Sequence, residues 1–116
     1  MEITYDPKPL TTDQLRALSQ EVKQALTELY GDRLDRVILY GSYARGDFHK
    51  ESDVDYLVVL SDVVQAGREV RRMAPIIGQL ALRYAVEVSI FPTAAPKYLT
   101  GHTLFYRAVQ QEGIRL

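Results

Sequence analysis

Leu15, Leu18, Val22, Leu26 and Leu29 recur at steps of three and four, which traces one apolar stripe along an α-helix. Thr11, Thr12 and Asp13 offer oxygens for its N-cap, and Thr11 with Gln14 has the spacing of a capping box. Gly31 supplies a C-terminal stop. The spacing predicts a helix from about residue 12 to 30. After it the period changes. Arg36 to Tyr40 (RVILY) is short, apolar and β-branched, and ends at Gly41, as a buried strand does. Val54 to Leu60 (VDYLVVL) predicts a second strand. Residues 42 to 52 between them read as a turn, with one helical turn around Tyr43 to Arg45.

Ser61 to Gly67 reads as a loop. Glu69 to Tyr84 carries apolar steps at Val70, Met73, Ile77, Leu80 and Tyr84, a helical pattern. Pro75 lies inside it and predicts either a kink or the true first turn, because proline lacks the amide proton and crowds the preceding turn. Ala85 to Phe91 (AVEVSIF) predicts a third strand closed by Pro92, followed by a loop over residues 93 to 102. Thr103 can cap a last helix, Leu104 to Glu112, stopped by Gly113, and Ile114 to Leu116 can add a short edge strand. The order helix, strand, strand, helix, strand, helix is that of an α/β fold, a small mixed β-sheet with helices packed on it.

Composition narrows the function classes. The chain has 116 residues, 47% apolar and 25% charged, which suits a single globular domain spanning 1–116. A net charge of −1 gives no electrostatic footprint for nucleic acid. The absence of cysteine excludes disulfides, thiolate metal sites and a cysteine nucleophile. No basic region followed by an apolar stretch opens the chain, and no apolar run approaches the ~20 residues of a membrane helix. The expectation is a cytoplasmic protein that does not engage a membrane.

The chemistry concentrates between Tyr40 and Leu60. In a strand, residues i and i+2 share a face, so Asp53 and Asp55 project together. Two ionised carboxylates that close repel each other, and a bound divalent cation removes the repulsion. Oxygen-only ligands select Mg²⁺ or Mn²⁺, and Mg²⁺ commonly takes one or two carboxylates together with substrate phosphates. Upstream, Gly41 lets backbone approach a ligand closely. The Ser42 hydroxyl and nearby amides can receive phosphate oxygens, and Arg45 can add a forked donor. A phosphate-binding turn beside a metal-binding pair equips a chain for phosphoryl or nucleotidyl transfer. The dozen residues that separate the two strands are long for a hairpin, as functional loops are.

Gly41-Ser42, ten residues, then Asp53-Val54-Asp55 resembles the signature of the DNA polymerase beta nucleotidyltransferase superfamily. GSYARGD at 41 to 47 with SDVDYLV at 52 to 58 is similar to its minimal nucleotidyltransferase branch. The resemblance implies a polymerase beta-like core that binds ATP with Mg²⁺. In it Gly41 and Ser42 match triphosphate-holding positions, and Asp53 and Asp55 match metal ligands. A third carboxylate on a neighbouring strand usually completes such sites as ligand and base. Glu87 is the candidate here, although the usual residue is aspartate.

Members of the branch often act as antitoxins of helical HEPN-class toxins, moving AMP from ATP to a toxin tyrosine or neutralising the toxin by binding alone. The resemblance thus implies a hetero-oligomer with a HEPN toxin. A small hydroxylated acceptor is a third reading, for which the sequence outlines no pocket. His49 reads as a surface group in a solvated loop. Arg68, Arg71 and Arg72 read as a solvated basic face or a contact for an acidic partner, and Tyr98, His102 and Tyr106 as local packing.

Overall fold

The computed structural model describes residues 7–116. Helix α1 spans Thr12–Tyr30 with the expected cap: the Gln14 amide donates to Thr11 Oγ1 at 3.1 Å, and the Thr11 amide donates to Gln14 Oε1 at 2.9 Å. Gly31, at φ 54°, ends it in a left-handed turn that costs glycine little. A 3₁₀ turn over Gly31–Arg33 then leads into β1 (Leu34–Tyr40). There follow α2 (Ser42–Arg45), β2 (Val54–Leu60), α3 (Ala66–Tyr84), β3 (Val88–Ala94), α4 (Ala95–Leu99), α5 (Leu104–Glu112) and β4 (Ile114–Arg115).

The four strands lie in the order β3-β2-β1-β4. Strand β1 runs antiparallel to β2 and β4, while β2 and β3 are parallel. The sheet is therefore small and mixed, as the pattern predicts.

Three segments differ from the sequence reading. Helix α3 begins at Ala66, and Pro75 lies well inside it on the exposed side. Pro75 is thus not the first turn. The Arg71 carbonyl it leaves without a helical partner is on a solvated face, where water can serve it. The third strand runs from Val88 to Ala94, not from Ala85 to Phe91. Ala85 (φ 53°) closes α3 in a left-handed turn, and the Val86 amide returns to the Ala81 carbonyl at 3.1 Å, so these residues belong to the helix end. Pro92 does not close the strand. Glu87 O accepts from Val54 N at 2.9 Å, so odd-numbered residues of β3 turn their backbone groups to β2, and Pro92 presents its missing donor to the open edge. Finally, α4 occupies part of the segment read as a loop, with Pro96 in its first turn.

The basic run at the start of α3 is also divided by the fold. Glu69 is buried among it, paired with Arg33 at 3.0 Å and Arg72 at 3.7 Å. Arg72 and Arg33 in turn lie over the Tyr30 ring.

Helices α1 and α3 cover one face of the sheet. Leu18, Val22 and Leu26 meet Val37, Tyr56, Val58, Met73 and Ile77 there. The other face is partly covered by α4 and α5, where Ala95, Tyr98 and Val109 pack on Ile38, Leu57 and Val59. This is why VDYLVVL does not alternate: β2 is central and is buried on both sides. Among the described residues no helix is long and apolar enough to cross a membrane.

Tyr56 is wholly buried, and its hydroxyl meets Ser19 Oγ at 2.8 Å. Burial pushes its pKa up to about 12, so the phenol stays neutral and serves as a hydrogen-bond group. Tyr56→Phe is expected to cost about 1 kcal/mol, the net worth of a buried bond. It should lower the melting temperature by a few degrees in thermal denaturation, and an unchanged melting temperature would show the bond to be without net value.

Candidate active site

Strand β1 leaves the sheet at Tyr40, and Gly41 turns the chain into α2. Gly41 sits at φ 76°, ψ −157°, a conformation only glycine adopts without strain. Its carbonyl accepts from the Ala44 and Arg45 amides at 3.1 and 3.0 Å, and the Gly46 amide closes the turn on the Ser42 carbonyl at 2.8 Å. Tyr43 anchors the turn. Its ring is buried and stacks on Phe48 at 4.5 Å, and its hydroxyl accepts from the Leu10 amide at 3.0 Å. This leaves Ser42 at the open start of α2, where helical amides have no partner within the helix.

The turn lies directly against the acidic pair. A Cβ placed on Gly41 would come within 2.3 Å of Asp55 Oδ2. Asp55 stands opposite Tyr40 in the β1–β2 register and is half-buried, and Asp53 lies one residue outside β2 and is exposed. Burial raises the Asp55 pKa, the neighbouring Asp53 charge raises it further, and Arg45 opposes both. Burial, and then the Asp55 charge, push Tyr40 up to about 12. Arg45 donates to Asp47 at 3.2 Å and to Glu112 at 3.0 Å, so its fork is engaged at the edge of the site.

Gly41, Ser42, Arg45, Asp53 and Asp55 therefore converge. Glu87 stands apart from them in part. Val54 pairs with Val88, which sets Glu87 level with Asp53 on the adjacent strand, yet its side chain is exposed. It borders a cavity of about 530 Å³ shared with Lys50, Ser52 and the end of α3. Among the described residues no three His, Cys, Asp or Glu side chains gather to hold a metal ion. The donor chemistry of Asp53 and Asp55 nonetheless suits a hard divalent cation: two carboxylates, one raised by the other's charge, that would complete the shell with water and phosphate oxygens.

His49 stays outside the site. Its Nδ1 accepts from the Glu51 amide at 3.2 Å and its own amide donates to Ser52 Oγ at 2.9 Å, which shapes the loop before Asp53.

Sequence reasoning missed two neighbours of Asp55 and one of Arg45. Tyr40 and Ser89 flank Asp55 in the register of β1 and β3, and Glu112 reaches Arg45 from α5. Tyr40 has one local signal, its place beside Gly41. Ser89 and Glu112 have none, because only the strand register and helix docking bring them near.

Comparison with known proteins shows the family. The family model described as "Nucleotidyltransferase domain" matches residues 19–115. The chain belongs to the nucleotidyltransferase domain family. Curated relatives come from Methanocaldococcus jannaschii. "Putative protein adenylyltransferase MJ0141" is 39% identical over 70 residues, 60% of this chain and 70% of that protein. "Putative protein adenylyltransferase MJ1305" is 33% identical over 78 residues, 65% of this chain and 52% of that protein.

The nucleotidyltransferase fold is matched by solved structures as well. A toxin–antitoxin crystal structure with AMP-PNP gives a TM-score of 0.57 at 19% identity, covering 91% of this chain and 72% of that one. The structure described as "a putative nucleotidyltransferase from Sulfolobus solfataricus" gives 0.52 at 17% identity, covering 91% and 87%. At these identities the likeness is one of fold.

Proposed function

We propose that this nucleotidyltransferase is a Mg²⁺-dependent protein adenylyltransferase. It moves AMP from ATP to a tyrosine of a cognate HEPN toxin and so acts as the antitoxin of the pair. The observation that carries the reading is the close approach of the Gly41 turn to the Asp55 carboxylate, which supports a shared site for a nucleotide's phosphates and a cation. The description of the curated relatives as protein adenylyltransferases, and the fold shared with toxin–antitoxin structures, support the choice of donor and acceptor.

Asp53 and Asp55 would hold Mg²⁺, which supplies neutralisation of charge on the α-phosphate. Gly41 and Ser42 receive the β- and γ-phosphates, with Arg45 at the rim. The acceptor oxygen bonds to the α-phosphorus as the bond to the bridging oxygen breaks. Pyrophosphate leaves, and the phenol proton passes to the Glu87 carboxylate.

The test is incubation of the chain and its toxin with ATP and Mg²⁺, followed by intact-mass measurement of the toxin. AMP adducts are expected. Formation of the complex with no adduct would overturn the catalytic reading.

One observation favours a second reading, neutralisation by binding alone: the exposed Glu87, with no third carboxylate gathered on the pair among the described residues. A chain with Asp53→Ala and Asp55→Ala separates the two. Continued protection of cells from the toxin by this double variant would favour binding alone, and loss of protection supports catalysis.

A further inference from the structure

Glu112 is the last residue of α5, and its side chain has one partner among the described residues, Arg45 Nη1 at 3.0 Å. The position works against its own helix. The C-terminal end of a helix carries partial negative charge and favours cations, yet no basic residue stands in the last turn of α5 and a carboxylate does. The helix that carries it is closely seated. Phe105, in its first turn, meets the Tyr40 and Phe91 rings at 5.4 Å each. At its end, a Cβ placed on Gly113 would come within 2.5 Å of Ile38 Cγ2 and of the Val109 carbonyl oxygen. A well-packed element therefore delivers this carboxylate to Arg45 across 67 residues of chain.

Arg45 is held from two sides. Its Nε donates to Asp47 at 3.2 Å and its Nη1 to Glu112. The Asp47 side chain is 63% exposed and that of Glu112 28%, so Glu112 is the firmer hold. What the hold prevents follows from the turn. The Arg45 amide donates to the Gly41 carbonyl, and Gly41 lies directly against Asp55 Oδ2. The turn that carries Arg45 is thus the one that abuts the carboxylate, and Asp55 feels the Arg45 charge. Without Glu112, the guanidinium has Asp55 as an alternative partner. An arginine paired there would take up carboxylate oxygens that a divalent cation needs as ligands.

We propose that Glu112 is a positioning residue that holds Arg45 off Asp55 and so keeps the Asp53–Asp55 pair open to a divalent cation. This rests on the reading of those two aspartates as the ligands of the cation.

The test is a cycle of wild type, Glu112→Gln, Arg45→Gln and the double variant. Mn²⁺ alone, without nucleotide, is titrated into the full chain, and binding is read from paramagnetic broadening of the Asp53 and Asp55 amide resonances. Glu112→Gln is expected to weaken Mn²⁺ binding about fivefold, the scale of one ion pair near the surface. In the Arg45→Gln background the same substitution is expected to change it by less than about twofold, the limit for uncoupled sites. Equal losses in both backgrounds would reduce Glu112 to a distant charge and overturn the proposal, as would unchanged binding in Glu112→Gln. A second arm needs no metal. The Asp55 carboxyl carbon resonance is expected to move between wild type and Glu112→Gln, and to stay in place between Arg45→Gln and the double variant. A resonance that stays in place in Glu112→Gln overturns the proposal. A wild-type chain whose aspartate amides Mn²⁺ leaves sharp, with the carboxyl shift present, would sink the cation reading and leave the hold on Arg45 standing, so the two failures are distinct.

Discussion

Gly41→Ala is expected to reduce AMP transfer by about 100-fold or more, the scale of loss when reacting groups are displaced by about 1 Å. The alanine methyl would sit 2.3 Å from Asp55 Oδ2, well inside contact distance. Either the Asp55 carboxylate swings aside or the turn carrying Ser42 moves away from it. The φ of 76° adds strain for any residue with a Cβ. Stability should fall by about 1–3 kcal/mol, a loss the buried core on both faces of β2 can absorb. Steady-state transfer assays together with thermal melts separate the two effects. A Gly41→Ala chain that keeps wild-type transfer would show that the contact between turn and carboxylate does not matter to the reaction.

Asp55→Asn should produce the opposite pairing, activity lost and stability kept or gained. The charge that would hold the cation disappears, and removal of such an electrostatic group typically lowers turnover by about 10²–10³. The stability direction follows from the raised pKa. Burial and Asp53 hold the carboxyl above its ordinary value of 3.8, so the folded chain keeps this proton more firmly than the unfolded one. Stability attributable to this group therefore declines as pH rises from 3.8 through the raised folded value, and the penalty persists at neutral pH. Asparagine carries no such charge. The variant should melt at or above the wild-type temperature at pH 7, with the difference shrinking in acid. Added Mg²⁺ with ATP should raise the wild-type melting temperature and leave the variant's unchanged. A variant that melts lower at pH 7 than at pH 4, relative to wild type, would contradict the assignment of Asp55 as a carboxylate ionised at a cost.

Both effects concern one place, the head of β2 beside the Gly41 turn. Strand β2 carries Asp55 at its head and a core segment behind, Val54 and Tyr56 to Leu60 wholly buried. The carboxylate is thus fixed by the same packing that holds the domain together. The Gly41–Ser42 turn is held by a different device, the Tyr43 anchor under a turn of only four helical residues.

Much of this was legible along the chain because it depends on near neighbours. The α1 cap and stop are contacts within a few residues, and so are the bounds of α5 and the head of β2. The approach of the Gly41 turn to the Asp53 and Asp55 pair was legible for the same reason, because residue type and a short spacing along two adjacent segments point to it.

Tertiary structure decided what local rules could not. Pro92 reads as a terminator until β3 is known to be an edge strand whose Pro92 nitrogen faces outward. Ala85 and Val86 read as strand until the helix claims their backbone groups. Strand register alone set Tyr40 and Ser89 beside Asp55, docking of α5 brought Glu112 to Arg45 and Phe105 over Phe91, and packing hid Glu69 beneath arginines that read as a solvated face. Apolar period and capping act over one or two turns of chain, whereas register, edge position and burial are properties of segments that meet only after the chain has folded.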